Sequence, residues 1–405
     1  KYPFPKLLEE LESAAVGKLT ANNEDVRLAD VVIAWNVFQH FYPYFDVVNV
    51  DWDSELTNAL RKAMTDKNER DFYYTLSRLI AKLQDGHGGV KHEIENKWAG
   101  LPFRVDWIEN QVVVTACKEP TKVKIGDIIL SVDGTKAEQT LLDAEQYISG
   151  SPQWRRYVAL RRFGYGDRGT KANLVIKRGN QTFEVEVERN YIAHTRHAVS
   201  ESKRPKIDAI KDDIYYVDLT RAQWKEIKER IHDLAEAKGG VIFDLRGYPS
   251  VGQDVIRHLL REKDTSEAWI RVPRIIYPDL ANIVGYREGG WELKPKKPRI
   301  KGKVVFLTDA RAISAAESYM SFVEHYKLGE IVGQPTAGTN GNVNPFRLLG
   351  GFTVRWTGTK VLKHDGSQHH LIGILPTVPV KRTIKGVIEG RDEFLEKALE
   401  IINKQ

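Results

Sequence analysis

Two short runs, GVIFDLRG (240–247) and GKVVFLTD (302–309), are apolar at almost every position until a charged or polar residue ends them. A strand with one face in water alternates apolar and polar residues. A strand apolar on both faces needs cover on both sides, as in a largely parallel sheet flanked by helices. The neighbouring sequence supplies the cover. From about 205 to 400, DIYYVDLT, RAQWKEIKERIHDLAEAKG, GQDVIRHLLREK, AAESYMSFVEHYK and RDEFLEKALEIINK alternate strand and helix patterns around these runs. That is an α/β layer arrangement.

The preceding sequence has a different texture. RLADVVIAWNVFQHFYPYF, DWDSELTNALRKAMTD and ERDFYYTLSRLIAKLQD carry apolar residues at helical spacing, and Asp and Ser stand at candidate caps. From about 98 to 190, PFRVDWIENQVVVTAC, KIGDIILSVDGTK and TKANLVIKRGNQTFEVEVER alternate with a period of two, with a turn at R-G-N and a helical LLDAEQYISG between. The 405 residues therefore divide into an N-terminal helical domain (1–97), a small β-rich domain (98–190) and an α/β core (191–405), a multidomain α+β chain.

Composition excludes several functions. No run approaches the roughly 18–20 apolar residues of a membrane span. With 41% hydrophobic residues and nine Trp the chain can bury real cores. The net charge of +6 is spread out, and its one dense run, KPKKPRIKGK (294–303), has no interleaved aromatics, so it reads as a solvated connector rather than a nucleic-acid surface. The single cysteine, Cys117, rules out an internal disulfide and any Cys-rich metal site, and its strand context predicts a buried, inert thiol. GTNGN (338–342) lacks the G-K-[ST] of a phosphate loop; HHL (369–371) and HTRHA lack an acidic partner at ligand spacing. No metal or cofactor is expected. KYPFPKLLEELESAAVGKL shows no long apolar segment of a signal peptide and no initiator Met, as a trimmed or mature chain would.

Three places combine polar, small or glycine residues with the ends of buried segments, where α/β proteins tend to hold ligands. In TDARAISAAES (308–318), Ser314 precedes a helix. It is either a nucleophile whose neighbouring N–H groups face an oxyanion or a helix cap, since S-A-A-E also fits a capping box with Glu317. In LQDGHGGV (83–90), His87 lies between glycines after a helix. It is either structural or a base matched to a serine at neutral pH. GVIFDLRGYPSVGQD (240–254) is either an ordinary strand-to-helix loop or an anion pocket of backbone N–H groups.

In their order along the chain, L-x-D-x-H, GDIILSVDG, VIFDLRG, TDARAISAAES, IVGQPTAG, and GILPTVPV with GRDEFLEKALE resemble the C-terminal processing (tail-specific) and tricorn-like serine protease family. The resemblance implies a PDZ-like domain at 98–190 binding an extended or C-terminal peptide by strand addition, and a crotonase-like α/β protease core. It implies Ser314 as nucleophile, His87 as base, and oxyanion donors at the N–H of Ala315 and in the loop after DLR, at Ser250. It further implies a polypeptide substrate and an extracytoplasmic location after removal of a signal peptide.

The chain also departs from the family pattern. Thr339 stands where the Ser-Lys branch has its lysine. Gly86 replaces the serine that supports the histidine, and His370 stands where the acid is expected, with Asp365 near but not aligned. Ser250 and Val251 replace a Gly-Gly, and Thr377 replaces the usual Asp after Pro376. A serine endopeptidase of low activity, a degenerate peptide-binding scaffold, and a binder of a small apolar ligand are the readings compatible with this pattern. The oligomeric state is not legible.

Overall fold

The computed structural model of the chain describes residues 6, 9, 19–118, 122–191, 201, 204–211, 213–266, 268–275 and 283–404. From residue 19 onward the described chain begins with helices α1 (Glu24–Phe41), α2 (Trp52–Thr65) and α3 (Glu69–Ala81). Asn23, Asp51 and Asn68 cap them by accepting from backbone N–H groups of the first turn. A short strand, β1 (Gly89–Lys91), follows the His87 turn.

The strand-rich unit contains β2 (Phe103–Ile108), β3 (Gln111–Cys117), β4 (Ile128–Val132), α4 (Ala137–Glu145), α5 (Pro152–Arg161), β5 (Lys171–Arg178) and β6 (Gln181–Glu188). The strands pair antiparallel in the order β2-β3-β4-β5-β6. The R-G-N turn joins the last two, with Gly179 at φ 57°. Helix α5, which the periodicity does not announce, starts with Ser151 accepting from Trp154 N–H and Pro152 in the first turn. Cys117 ends β3 half-buried rather than fully buried.

The third unit holds β7 (Ile207–Lys211), β8 (Ile214–Asp218), β9 (Gly240–Asp244), β10 (Val304–Thr308), α6 (Ala315–His325), β11 (Glu330–Gly333), β12 (Val343–Arg347), β13 (Thr353–Thr357), β14 (Val378–Pro379) and α7 (Glu393–Asn403). The sheet runs β7-β8-β9-β10-β11-β14, parallel except for β7. The continuous apolar runs are buried on both faces, as their composition requires. Val241, Phe243 and Phe306 pack with Tyr319, Met320 and Phe322 of α6, while Ile242, Val305 and Leu307 pack with Phe394, Leu395 and Ala398 of α7.

The helical segment does not close its own core. Phe38, Phe72 and Leu76 share one cluster with Phe352, Val354 and Trp356 from the β12–β13 hairpin. β1 joins this hairpin as a third strand, antiparallel to β13, with Gly89 opposite Arg355. Continued by two residues, that register sets His87 opposite Thr357.

Candidate active site

Ser314 stands at the head of α6 with φ 60° and ψ −115°. Non-glycine residues rarely occupy this region, at a cost of about 1–3 kcal/mol, and such strain clusters at functional positions. The capping alternative fails. The Ser314 side chain makes no cap hydrogen bond. Glu317, the other half of the expected capping box, is fully buried and accepts instead from Thr336 Oγ1 (2.5 Å), Gly338 N (2.7 Å) and Thr339 N (2.8 Å). The Ala315 N–H opens the helix, a position with no preceding intrahelical acceptor.

The second expected oxyanion donor is engaged elsewhere. Ser250 N–H donates to Leu219 O at 2.9 Å, and its hydroxyl donates to Ala222 O at 2.6 Å. The loop after β9 folds back on the chain leaving β8, so in this conformation Ser250 offers no N–H to a substrate. Arg246 in the same loop lies between the carboxylates of Asp244 and Asp392.

Thr339 ties the two expected catalytic positions together. Its carbonyl accepts from Ser314 N–H at 2.9 Å, and its hydroxyl accepts from Gly86 N–H at 2.9 Å. The residue in the lysine's place thus anchors both the nucleophile turn and the histidine turn.

His87 Nδ1 lies 2.9 Å from Thr357 Oγ1. Thr357 Oγ1 is 2.6 Å from Asp85 Oδ1, and Thr357 N–H donates to Asp85 Oδ2 at 2.6 Å. His87 N–H also donates to Asp85 Oδ1, at 3.0 Å. Burial pushes the His87 pKa below its ordinary value, against the opposing pull of the Asp85 and Glu317 carboxylates. Asp85 and Thr357 were missed in the sequence, although Asp85 stands inside the motif that singled out His87.

His370, the residue in the acid's place, is buried and stacked on Tyr44 with ring centroids 3.9 Å apart; burial lowers its pKa to about 4. Asp365 bonds Ser367 in an exposed turn and is not among the partners of His87. Of the histidine motifs, HTRHA lies outside the described residues. Among the described residues no group of three or more His, Cys, Asp or Glu is arranged to hold a metal ion, and no helix is long and apolar enough to cross a membrane. A cleft of about 1370 Å³ separates the strand-rich unit from the loops after β9 and β10, lined by Phe103, Trp107 and Tyr157 on one side and Arg246 and Arg311 on the other. Ser314 and His87 are not part of its lining.

The fold is similar to those of solved structures. Mature CPAF superposes with a TM-score of 0.74 at 16% identity, covering 94% of this chain and 97% of the other. A putative peptidase from Parabacteroides merdae does so with a TM-score of 0.56 at 17% identity, covering 93% and 97%. In sequence the chain is similar to a probable CtpA-like serine protease of Staphylococcus haemolyticus, 22% identical over 347 residues. That alignment takes in 84% of this chain and 64% of the relative, so the chain spans about two thirds of that relative's length. Residues 213–380 match the family model of Peptidase family S41, and Ser314 lies within the matched segment.

Proposed function

We propose that this chain is a serine endopeptidase in which Ser314 attacks the scissile carbonyl and His87 acts as general base. His87 takes the Ser314 hydroxyl proton during attack and returns it to the leaving amine. The Ala315 N–H and the positive end of α6 stabilise the oxyanion. The reading is carried by one observation: Ser314, in a strained backbone conformation with its hydroxyl free of capping, is held by the same residue, Thr339, that holds the His87 turn. The strand-rich unit at 98–190 acts as a PDZ-like domain that presents an extended or C-terminal segment to a crotonase-like core, outside the cytoplasm.

The test is degradation of an unstructured protein such as casein by the full chain, Ser314→Ala and His87→Ala. Cleavage that stops in both variants is the expected result; cleavage that persists in Ser314→Ala overturns the reading. A second reading rests on the engaged N–H of Ser250, which leaves the oxyanion site a donor short. In it the chain is a catalytically degenerate relative that binds peptides as a scaffold. Peptide binding without turnover by a folded full chain would favour it.

A further inference from the structure

The structure assigns His87 an orienting carboxylate at a distance: we infer that Asp85, acting through the Thr357 hydroxyl, fixes the His87 imidazole with its proton on Nδ1 and its lone pair on Nε2. The inference rests on the protease reading for its role in catalysis but not for its geometry.

The argument is a count of protons. A threonine hydroxyl carries one hydrogen and accepts at its oxygen. Thr357 Oγ1 has two close neighbours, Asp85 Oδ1 at 2.6 Å and His87 Nδ1 at 2.9 Å. Asp85 accepts from two backbone N–H groups as well, those of Thr357 and His87. Asp85 Oδ1 is the acceptor in the 2.6 Å contact, so the Thr357 hydrogen points to Asp85. Thr357 then meets the imidazole with a lone pair, and Nδ1 must be the protonated nitrogen.

Nε2 is left as the acceptor, the form that a base for serine requires. During attack the Ser314 hydroxyl proton moves to Nε2 while the Oγ–C bond forms. The imidazolium keeps its Nδ1 hydrogen on Thr357, and Thr357 keeps its own on Asp85. No proton passes to Asp85; its charge acts across the hydroxyl. Asp85 and Thr357 are positioning residues, and the aligned acid position, His370, has no part in the arrangement. The charged groups acting on His87 are the Asp85 and Glu317 carboxylates.

Three variants of the full chain test this. Thr357→Val keeps the shape and the backbone N–H to Asp85 but removes the relay oxygen. Thr357→Ser keeps that oxygen. Asp85→Asn keeps an acceptor but removes the charge. The expected result for Thr357→Val is a kcat lower by about 10²- to 10⁴-fold with KM nearly unchanged, the range for misplacing a general base or its tautomer. The acid limb of its pH profile moves to lower pH, because the imidazolium loses an acceptor. Thr357→Ser recovers most of the rate.

Nitrogen NMR of histidine-labelled protein, with His87 assigned by its loss in His87→Ala, reads the tautomer without any turnover. The Nδ1–H form is expected in the native chain, with a mixture in Thr357→Val. An Nε2–H form in the native chain overturns the inference, active or not. So do equal losses in the Val and Ser variants, or an unchanged Thr357→Val beside an inactive Ser314→Ala. Cleavage surviving in Ser314→Ala removes the protease reading instead and leaves the tautomer measurement standing.

Discussion

A methyl group on Gly86 would stand 2.6 Å from Thr339 Oγ1, well inside van der Waals contact. The hydroxyl cannot simply move aside, since Thr339 is fully buried and that oxygen accepts from Gly86 N–H. A serine at position 86, as the family resemblance would lead one to expect, would therefore press against the threonine that stands in the lysine's place. Gly86→Ala is expected to destabilise by about 1–3 kcal/mol through overpacking. Thr339→Ala alone should cost about 1 kcal/mol for the lost hydrogen bond. Combined, the two should cost clearly less than their sum, because the second change makes room for the first. Urea unfolding of the four proteins checks this; additive costs would mean that the turn relaxes away from Thr339.

The pH dependence of cleavage follows from the burial of His87. A base works in its neutral form, and burial lowers the pKa of this histidine from its ordinary 6.5. Activity should therefore persist on the acid side of 6.5 and fall only below it. Because the Asp85 charge holds the value up, Asp85→Asn should move the limb lower still. The measurement is kcat/KM against pH on a fluorogenic unstructured substrate. A limb above 6.5 would assign the titration to another group.

Much of the fold was legible because its signals are local. GVIFD and VVFLT read as doubly covered strands, and they are covered by α6 on one face and α7 on the other. Ser314 and His87 stood out as a polar residue at a helix start and an imidazole among glycines. What could not be read depends on pairing across the chain. Thr357 is one threonine in an ordinary strand until β1 pairs with β13 and brings it opposite His87. Asp85 reads as a residue at the end of a helix until Thr357 arrives. The engagement of Ser250 by Leu219 is invisible for the same reason: a backbone donor's partner is set by the tertiary path, not by the residue's type. Helix α5 was missed because Trp, Arg and Tyr in SPQWRRYVALRR blur its apolar stripe.

Phe38 shows how the helical segment supports the site. Its ring meets Phe346 (centroids 5.7 Å), Trp356 (5.9 Å) and Trp52 (6.1 Å) edge-on, so one side chain joins α1 and α2 to both strands of the hairpin. Phe38→Ala is expected to cost about 3–5 kcal/mol. It should also lower activity in the protein that remains folded, because β13 carries Thr357. Chemical denaturation and kcat at matched folded fractions test the two effects. A stability loss with unchanged kcat would separate the core from the site.

Asp30 makes the same interface sensitive to pH. The residue is fully buried on α1, and its Oδ1 accepts from Leu349 N–H at 2.8 Å, in the turn that joins β12 to β13. Its Oδ2 has no hydrogen-bond partner among the described residues. Burial raises the pKa from 3.8 to about 7, against the smaller opposing effect of the Leu349 bond. A carboxyl whose folded value is raised binds more protons folded than unfolded between these limits, so its contribution to stability declines as pH rises. Below about pH 4 the group is neutral in both states and imposes no such cost. Above about pH 7 the folded chain must hold a buried charge, at a penalty that reaches up to about 4 kcal/mol. Asp30→Asn keeps an acceptor for Leu349 and removes the titration. The variant should be more stable than the native chain at pH 8, and should lose that advantage at pH 4–5. Thermal unfolding of both proteins across this range decides it: a difference that does not change with pH would mean that Asp30 titrates as an ordinary carboxylate and that the α1–hairpin contact is indifferent to its charge.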